Sequence, residues 1–209
     1  PEASEGWTIS FIERQSRDWI AASAGLKDAQ LFEQGVQRAW QWAEPSHWIR
    51  WFTDGERRYG KELWKLASVY WPSSITSDAS PHRKVWRGGL EVAINIKGSQ
   101  GNRRVEWLKQ EHPFTAISPK AEVHANHVEA FNSALRRRAT ACRRRQNHYA
   151  KQVKGLQRAL NVQRLIHNWV RPHWSLGKRT TPSMAMRVFQ RPVKISEILS
   201  SRGFEYLTL

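Results

Sequence analysis

Sulfur is scarce in this sequence, and long apolar runs are missing. Its 209 residues include one cysteine, Cys142, and two methionines, which excludes an internal disulfide and a zinc site built from several thiolates. No stretch approaches the roughly 18 uninterrupted apolar residues of a membrane-spanning helix, and the first residues contain no apolar signal segment. A cytoplasmic protein without a membrane partner is therefore expected.

Acidic residues are scarce in the second half of the chain. Residues 120–209 contain 18 Lys and Arg but only 4 Asp and Glu, whereas residues 1–119 contain 16 and 14. Nearly all of the net charge of +16 thus lies in the second segment, a distribution typical of a surface that binds a polyanion. A solvated basic face without a ligand is the alternative. The sequence also lacks a phosphate-cradling glycine loop, so no nucleotide cofactor is expected.

The spacing of apolar residues predicts alternating strands and helices in the first half. A β-hairpin is expected over residues 7–24, then a helix whose apolar positions run through residues 31–43. A strand over residues 48–53 ends at the turn dipeptide Asp54-Gly55, and a second helix has apolar positions through residues 59–70. This order predicts an α/β fold with Asp54 at the tip of a strand, where ligands bind in open sheets.

Residues 72–110 interrupt this pattern. Alternating apolar residues over 90–96, a turn at 98–101 and a returning segment over 104–108 predict a β-hairpin insertion. The basic residues of this insertion are candidates to lie along DNA, and a plain surface hairpin is an equal alternative. A further strand over residues 112–118 is expected to follow.

One carboxylate, Glu129, lies on a predicted helix that runs into two blocks of three arginines. At helical spacing, Glu129 shares a face with Asn132 and Arg136, away from the apolar stripe. Magnesium prefers carboxylate oxygens, and two-metal phosphoryl transfer needs several of them, so Glu129 and Asp54 are candidate ligands. Each acid also has a structural alternative, because Asn126 with Glu129 fits a helix capping box and Asp-Gly is an ordinary turn.

Three motifs resemble, in their order along the chain, those of DDE-class insertion-sequence transposases. Asp54, in the string TDG at the end of a strand, is similar to the second acid of that family's triad. Glu129, followed by Asn132 and Arg136, is similar to the helix that carries the third acid. The string NWVRPH at residues 168–173 is similar to the tail that closes many such domains.

The resemblance covers most of residues 7–190 and implies a ribonuclease H-like, integrase-like fold. This is a mixed sheet flanked by helices, with a β-hairpin insertion and a helical C-terminal extension. Residues 1–145 would form the catalytic core without its first strand, with the insertion at residues 72–110. Residues 146–209 would form the basic helical extension.

The first acid of the triad has no counterpart in this sequence. In the family it is an Asp on the strand before the opening hairpin, whereas only Glu2 and Glu5 precede Trp7 here, outside any strand-like run. The missing Asp is therefore expected upstream of Pro1, and the chain by itself is expected to be catalytically incomplete.

The resemblance implies metal-dependent cleavage and strand transfer at insertion-sequence ends. Asp54 and Glu129 would be the catalytic acids and would hold Mg²⁺ or Mn²⁺. The partner would be double-stranded DNA, both transposon ends and target, bound by a homo-oligomer in the bacterial cytoplasm at the nucleoid. The predicted DNA-binding residues are Asn132, Arg136, Arg137, Arg138, Arg143, Arg144, Arg145, Lys151, Arg171, His173, Lys178 and Arg179.

Two other functions fit the same residues. A ribonuclease H-like nuclease or resolvase would use the same acids to cleave DNA without joining it. A non-enzymatic DNA-binding module derived from a transposase would use only the basic half of the chain, with a steep salt dependence and no need for a divalent metal.

Overall fold

The chain is a mixed α/β protein with small sheets and several helices. The computed structural model describes residues 7–54, 56–70, 84–100, 103–110, 126–139, 142 and 152–201, without the side chains of residues 57, 95–100 and 103–110. Two compact units are present, one formed by Pro1–Lys27 with His127–Leu209 and the other by Asp28–Asn126. The functional division at residue 145 stays a prediction.

The elements follow the predicted alternation in most places. In chain order they are β1 (Trp7–Ile12), β2 (Trp19–Gly25), α1 (Ala29–Ala43), β3 (Ile49–Asp54), α2 (Arg57–Ala67), β4 (Ser68–Tyr70), β5 (Lys84–Trp86), β6 (Leu90–Gln100), β7 (Arg103–Gln110), α3 (Asn126–Arg138), α4 (Val153–Leu165), a π-helical turn (Ile166–Val170), a 3₁₀ turn (Trp174–Leu176), α5 (Pro182–Ala185) and α6 (Ile195–Ser200). The described residues contain no helix with the length and apolar character that crossing a membrane requires.

The first unit is built on the predicted hairpin, in which β1 and β2 pair antiparallel. Trp19 at the start of β2 is fully buried and meets the Phe131 ring of α3 edge-on, with 4.4 Å between centroids. Leu135 of α3 and Leu160 of α4 complete this cluster. Burial of these large apolar side chains holds α3 and α4 to the hairpin.

Side chains from α4 and the π-helical turn hydrogen-bond the backbone of β2. Gln157 accepts from one N–H and donates to one C=O within residues 22–24, at 2.8 and 3.1 Å. Arg164 donates to a carbonyl of the same strand at 2.8 Å. Asn168 accepts from the N–H of Trp19 and donates to its C=O, at 2.9 and 3.2 Å. These bonds satisfy backbone groups that β1 does not reach.

The second unit contains a three-stranded sheet in the order β3-β6-β7. The predicted hairpin of β6 and β7 is confirmed as an antiparallel pair. However, β6 also pairs in parallel with β3. This pairing covers the whole length of β3, from Ile49 opposite Leu90 to Asp54 opposite Asn95. The first half of β6 is therefore part of the sheet that carries Asp54 and not a separate surface hairpin.

Helix α1 buries the predicted stripe, including Phe32, Val36 and Trp40. Its first turn is capped by Asp28, whose carboxylate accepts from the N–H of Leu31 at 3.0 Å. At its other end, Arg87 donates to the backbone carbonyls that follow the helix, at 3.0 and 2.6 Å. Arg87 is one of the basic residues of the predicted insertion that were candidates to contact DNA. In the structure its guanidinium instead stabilises the end of α1.

One predicted helix boundary is wrong. Helix α2 ends at Ala67, and Ser68–Tyr70 form the short strand β4, which pairs antiparallel with β5. The apolar residues after Ala67 continue the helical spacing, but pairing with a distant strand takes precedence over that local pattern. The strand expected over residues 112–118 lies outside the described residues.

Candidate metal ligands and nucleic-acid interface

Asp54 is the last residue of β3, exposed, at the carboxyl end of a strand with a parallel neighbour. Its predicted position at a strand tip is confirmed. The Oδ1 atom accepts from the backbone N–H of Glu56 at 3.2 Å, an Asx turn that leads the chain into α2. This hydrogen bond engages one carboxylate oxygen, so the other can still bind a cation.

A second carboxylate, that of Glu56, lies close to Asp54 in sequence and space. Glu56 caps α2 and forms an ion pair with Arg58 at 2.9 Å. Burial raises the pKa of the Tyr59 phenol well above its ordinary value, and the nearby charges of Asp54 and Glu56 raise it further. Tyr59 is therefore neutral at physiological pH. No cation pairs with Asp54 in the part of the chain that the structure describes.

Glu129 lies in the first turn of α3 and is exposed. The apolar stripe of this helix is confirmed by Leu135, which is buried, and by Phe131, which packs against the same core cluster. On the other predicted stripe Arg136 is exposed, whereas Asn132 is half-buried. An acid in the first turn also complements the helix dipole, a structural role that needs no metal. Glu129 and Asp54 belong to different compact units, so a metal held by both stays a prediction.

The other predicted ligands and cations divide into described and undescribed residues. Arg136, Arg137 and Arg138 form the exposed last turn of α3, where the helix dipole favours cations. Lys178 and Arg179 are exposed in the loop before α5. Among the described residues, no three His, Cys, Asp or Glu side chains are grouped as metal ligands. The predicted residues outside the described ranges are Arg143, Arg144, Arg145 and Lys151.

The NWVRPH segment begins inside the π-helical turn, where the side chains form buried hydrogen bonds that stabilise the unit. Asn168 is buried and bonded to β2 as described above. The preceding His167 is also buried, with its Nε2 atom 2.9 Å from the carbonyl of Arg17. A carbonyl can only accept, so Nε2 carries the proton. Burial lowers the pKa of His167 to about 4, and the positive charge of nearby residues adds to that effect.

The second half of the segment belongs to a group of cations. The pKa of the His173 imidazole is lowered by burial and then by the charges of Arg17 and Arg138. Arg138 is exposed as a whole, but partial burial of its guanidinium lowers its pKa, and the charges of Arg171 and Arg137 lower it further. Arg138 therefore lies within electrostatic range of two other predicted DNA-binding residues, Arg171 and His173.

A small cleft lies beside these cations in the first unit. Apolar and aromatic side chains form most of its lining, and two arginines lie at its margin. The lining residues are Trp19, Phe131, Leu135, Arg138, Gln163, Ile166, His167 and Arg171. Sequence reasoning missed Arg17 as a member of this neighbourhood, because nothing in its local sequence distinguishes it from the other arginines of the chain.

Comparisons with protein-family models, with curated proteins and with solved structures give no match for this chain.

Proposed function

We propose that this chain is the catalytic part of a DDE-type transposase, which cleaves DNA at the ends of an insertion sequence and joins them to a target. The observation that carries the proposal is the place of Asp54, exposed at the carboxyl end of a strand with a parallel neighbour. Acids at such an edge are well placed to hold the ions of a phosphoryl-transfer site.

The element order supports a ribonuclease H-like fold within this proposal. The hairpin β1–β2, helix α1, strand β3 with its Asp and helix α2 follow one another as the family resemblance implies. The parallel pairing of β6 with β3 adds to that support, since it extends the sheet next to the acid-bearing strand.

The donor atoms fit a magnesium or manganese ion. Both ions prefer carboxylate oxygens, and Asp54 and Glu129 are exposed carboxylates. When bound, such ions stabilise the charge that builds up on the attacking and leaving oxygens of a phosphodiester. The arginines at the end of α3, from Arg136 to Arg138, would neutralise the phosphates of the bound strand.

The reaction needs no energy source beyond the DNA itself. In the first step water attacks the phosphorus atom at the element's end, the P–O3′ bond breaks, and a 3′-hydroxyl and a 5′-phosphate result. In the second step that hydroxyl attacks a target phosphodiester, one P–O bond forms as another breaks, and the target's 3′-oxygen leaves with a proton. The number of phosphodiester bonds is conserved in this joining step. The lack of a nucleotide-binding loop fits this chemistry.

The test replaces each acid by its amide in the full-length protein. Asp54→Asn and Glu129→Gln should each abolish strand transfer of a labelled, pre-cleaved DNA end in Mg²⁺ while leaving DNA binding in EDTA unchanged. Glu56→Gln, which removes a charge only two residues from Asp54, is the matched control and should keep most of the activity. Retained joining in Asp54→Asn would refute the proposal.

A readout independent of activity tests the metal site alone. Mn²⁺ titrated into the protein should bind, as followed by the loss of its free electron paramagnetic resonance signal, and binding should weaken in Asp54→Asn. Equal Mn²⁺ binding by Asp54→Asn and the unchanged protein would exclude this acid as a ligand.

A non-enzymatic DNA-binding module is the second candidate function. The cations around Arg138 and Arg171 favour it, because they lie in a unit that does not contain Asp54. Binding in EDTA with no cleavage or joining under any metal condition, in the full-length protein, would support this function over the first.

A further inference from the structure

Arg17 has an unusual backbone and an unsatisfied side chain. It is one of two non-glycine residues with positive φ in the described part of the chain, at 63°, a conformation that costs free energy in an L residue. Its carbonyl is held by the buried His167 at 2.9 Å, and its Nε donates to the Oγ of Ser175 at 3.2 Å. The Nη1 atom is buried and has no hydrogen-bond partner among the described residues.

Ser175, which accepts from Arg17, is in turn hydrogen-bonded to His173. The backbone N–H of Ser175 donates to Nδ1 of His173 at 3.3 Å, and the Ser175 hydroxyl lies 2.9 Å from the same nitrogen. Because Nδ1 accepts, the proton of the neutral His173 ring is on Nε2. The ring can therefore donate to an acceptor from outside.

The arginines around His173 have no carboxylate partner among the described residues. In the described part of the chain no acid pairs with Arg17, Arg138 or Arg171. The nearest sequence neighbour, Asp18, is buried and interacts electrostatically with Arg164. Glu13 accepts hydrogen bonds from its own turn, including the N–H of Gln15 at 2.9 Å. Among the described residues, these cations and the His173 ring thus form a group with donors and positive charge but no paired carboxylate.

We propose that Arg17, Ser175 and His173, with Arg138 and Arg171 beside them, form a binding site for a backbone phosphate of DNA. A phosphodiester oxygen supplies the acceptor that Nη1 of Arg17 lacks, and its charge relieves the repulsion between Arg138 and Arg171. The side chain of Arg17 is only half-buried as a whole, and the proposal requires its guanidinium to rotate so that Nη1 reaches the ligand. The hydrogen bond from His167 holds the backbone of Arg17, and the bond from its Nε to Ser175 orients the guanidinium.

Trp174 favours a polynucleotide over a free phosphate as the ligand. Its side chain is 88% exposed, and its ring lies nearly parallel to that of His173, with 6.3 Å between centroids and 23° between planes. An exposed aromatic ring beside a phosphate site gives an unpaired base a surface on which to stack. The proposed ligand is therefore a DNA end with at least one unpaired base. The inference rests on the proposed function in one respect only, namely that the polynucleotide is DNA.

The chain provides a closely matched control for Arg17. Arg187 is the other non-glycine residue with positive φ, at 61°, and it is exposed in the same unit. Asparagine tolerates this conformation well, so Arg17→Asn and Arg187→Asn remove the same charge from the same backbone geometry. Arg17→Lys is a third variant, which keeps the charge but loses the planar fork.

The experiment measures binding of a labelled duplex with a single-stranded overhang, in EDTA, by fluorescence anisotropy over a range of salt concentrations. Arg17→Asn should weaken binding about 5- to 10-fold at low salt and reduce the slope of log Kd against log salt by about one, while Arg187→Asn changes Kd less than about 2-fold. Arg17→Lys should recover part of the affinity. Equal losses in both asparagine variants would overturn the proposal, because they would show a general effect of charge.

Two further arms identify the ligand. Trp174→Ala should weaken binding of the overhang more than binding of a blunt duplex, and equal weakening would refute the base-stacking part. The second arm compares the thermal midpoint in inorganic phosphate with that in chloride at equal ionic strength. The phosphate concentration is on the order of 1–10 mM, the range in which a weak anion site would fill. Stabilisation by phosphate that Arg17→Asn abolishes, without any effect on DNA binding, would overturn the assignment to a polynucleotide. Since all arms use EDTA, loss of strand transfer does not affect them.

Discussion

The bonds between Asn168 and Trp19 give the sharpest test of how the first unit is held together. In Asn168→Ala the backbone N–H and C=O of Trp19 both lose their partner, and the site is buried so that water does not replace it. An unsatisfied buried polar group costs about 1–3 kcal/mol. The substitution should therefore lower the free energy of unfolding by about 2–5 kcal/mol.

Urea denaturation at 25 °C, monitored by circular dichroism, measures this loss of unfolding free energy. The thermal midpoint should fall by about 4–20 °C, since 1 kcal/mol corresponds to roughly 2–4 °C in a chain of this size. Deuterium exchange of peptides from β2 localises the effect, because the amide of Trp19 loses its acceptor and should exchange faster.

Asn161→Ala is the matched control for this prediction. Asn161 is an exposed asparagine on α4, the helix that precedes Asn168, and its side chain bonds only to Gln157 in the described part of the chain, at 2.9 Å. Its substitution should change the free energy of unfolding by less than about 0.5 kcal/mol. If Asn168→Ala costs no more than this, the two bonds to Trp19 do not stabilise the unit and the reasoning is refuted.

Three further predictions concern a glycine and two buried titratable groups. Gly89→Ala should cost at least about 2 kcal/mol, because a Cβ there would lie 2.0 Å from the carbonyl oxygen of His47 and φ is +76°; the adjacent Gly88, which has open space, should tolerate Ala in the same denaturation assay. Burial raises the pKa of Asp18 from 3.8 to about 6, so the folded state binds its proton more tightly and stability is lost as pH rises through that window. Relative to the unchanged protein, Asp18→Asn should therefore gain about 3 kcal/mol between pH 3.8 and 6, and a flat difference would contradict this. The pKa of His167 is lowered from 6.5 to about 4, so the folded state binds fewer protons and stability falls as pH drops through that window. In His167→Gln, which can still donate to Arg17, that acid loss of about 3 kcal/mol should disappear from the pH profile, and its persistence would show that another group causes it.

Local periodicity predicted the elements whose apolar faces are decided by nearby residues. The spacing of Phe32, Val36 and Trp40 predicted α1, and alternation predicted the hairpin β1–β2, because a helix stripe and a strand face are properties of the segment itself. The place of Asp54 followed from the same logic, since an apolar strand interrupted by Asp-Gly ends at the Asp.

Pairing partners were not predictable in this way. Alternation over β6 is the same whether it pairs only with β7 or also with β3, so sequence alone favoured an insertion where the structure has a sheet strand. The residues around Arg17 were missed for a related reason. Its contact with Ser175 joins positions 158 residues apart, and its positive φ leaves no sign in the sequence because arginine rarely adopts it.

The bonds from Gln157, Arg164 and Asn168 to β2 have a consequence for solubility. A bare strand edge is a template on which other chains add as strands, and many proteins cover such edges to avoid aggregation. Here side-chain amides and a guanidinium occupy the hydrogen-bonding groups along that edge, so a helix performs the covering that a further strand would otherwise provide. A chain truncated before α4 would expose this edge together with the apolar surface of Trp19, and it should form β-rich aggregates on expression.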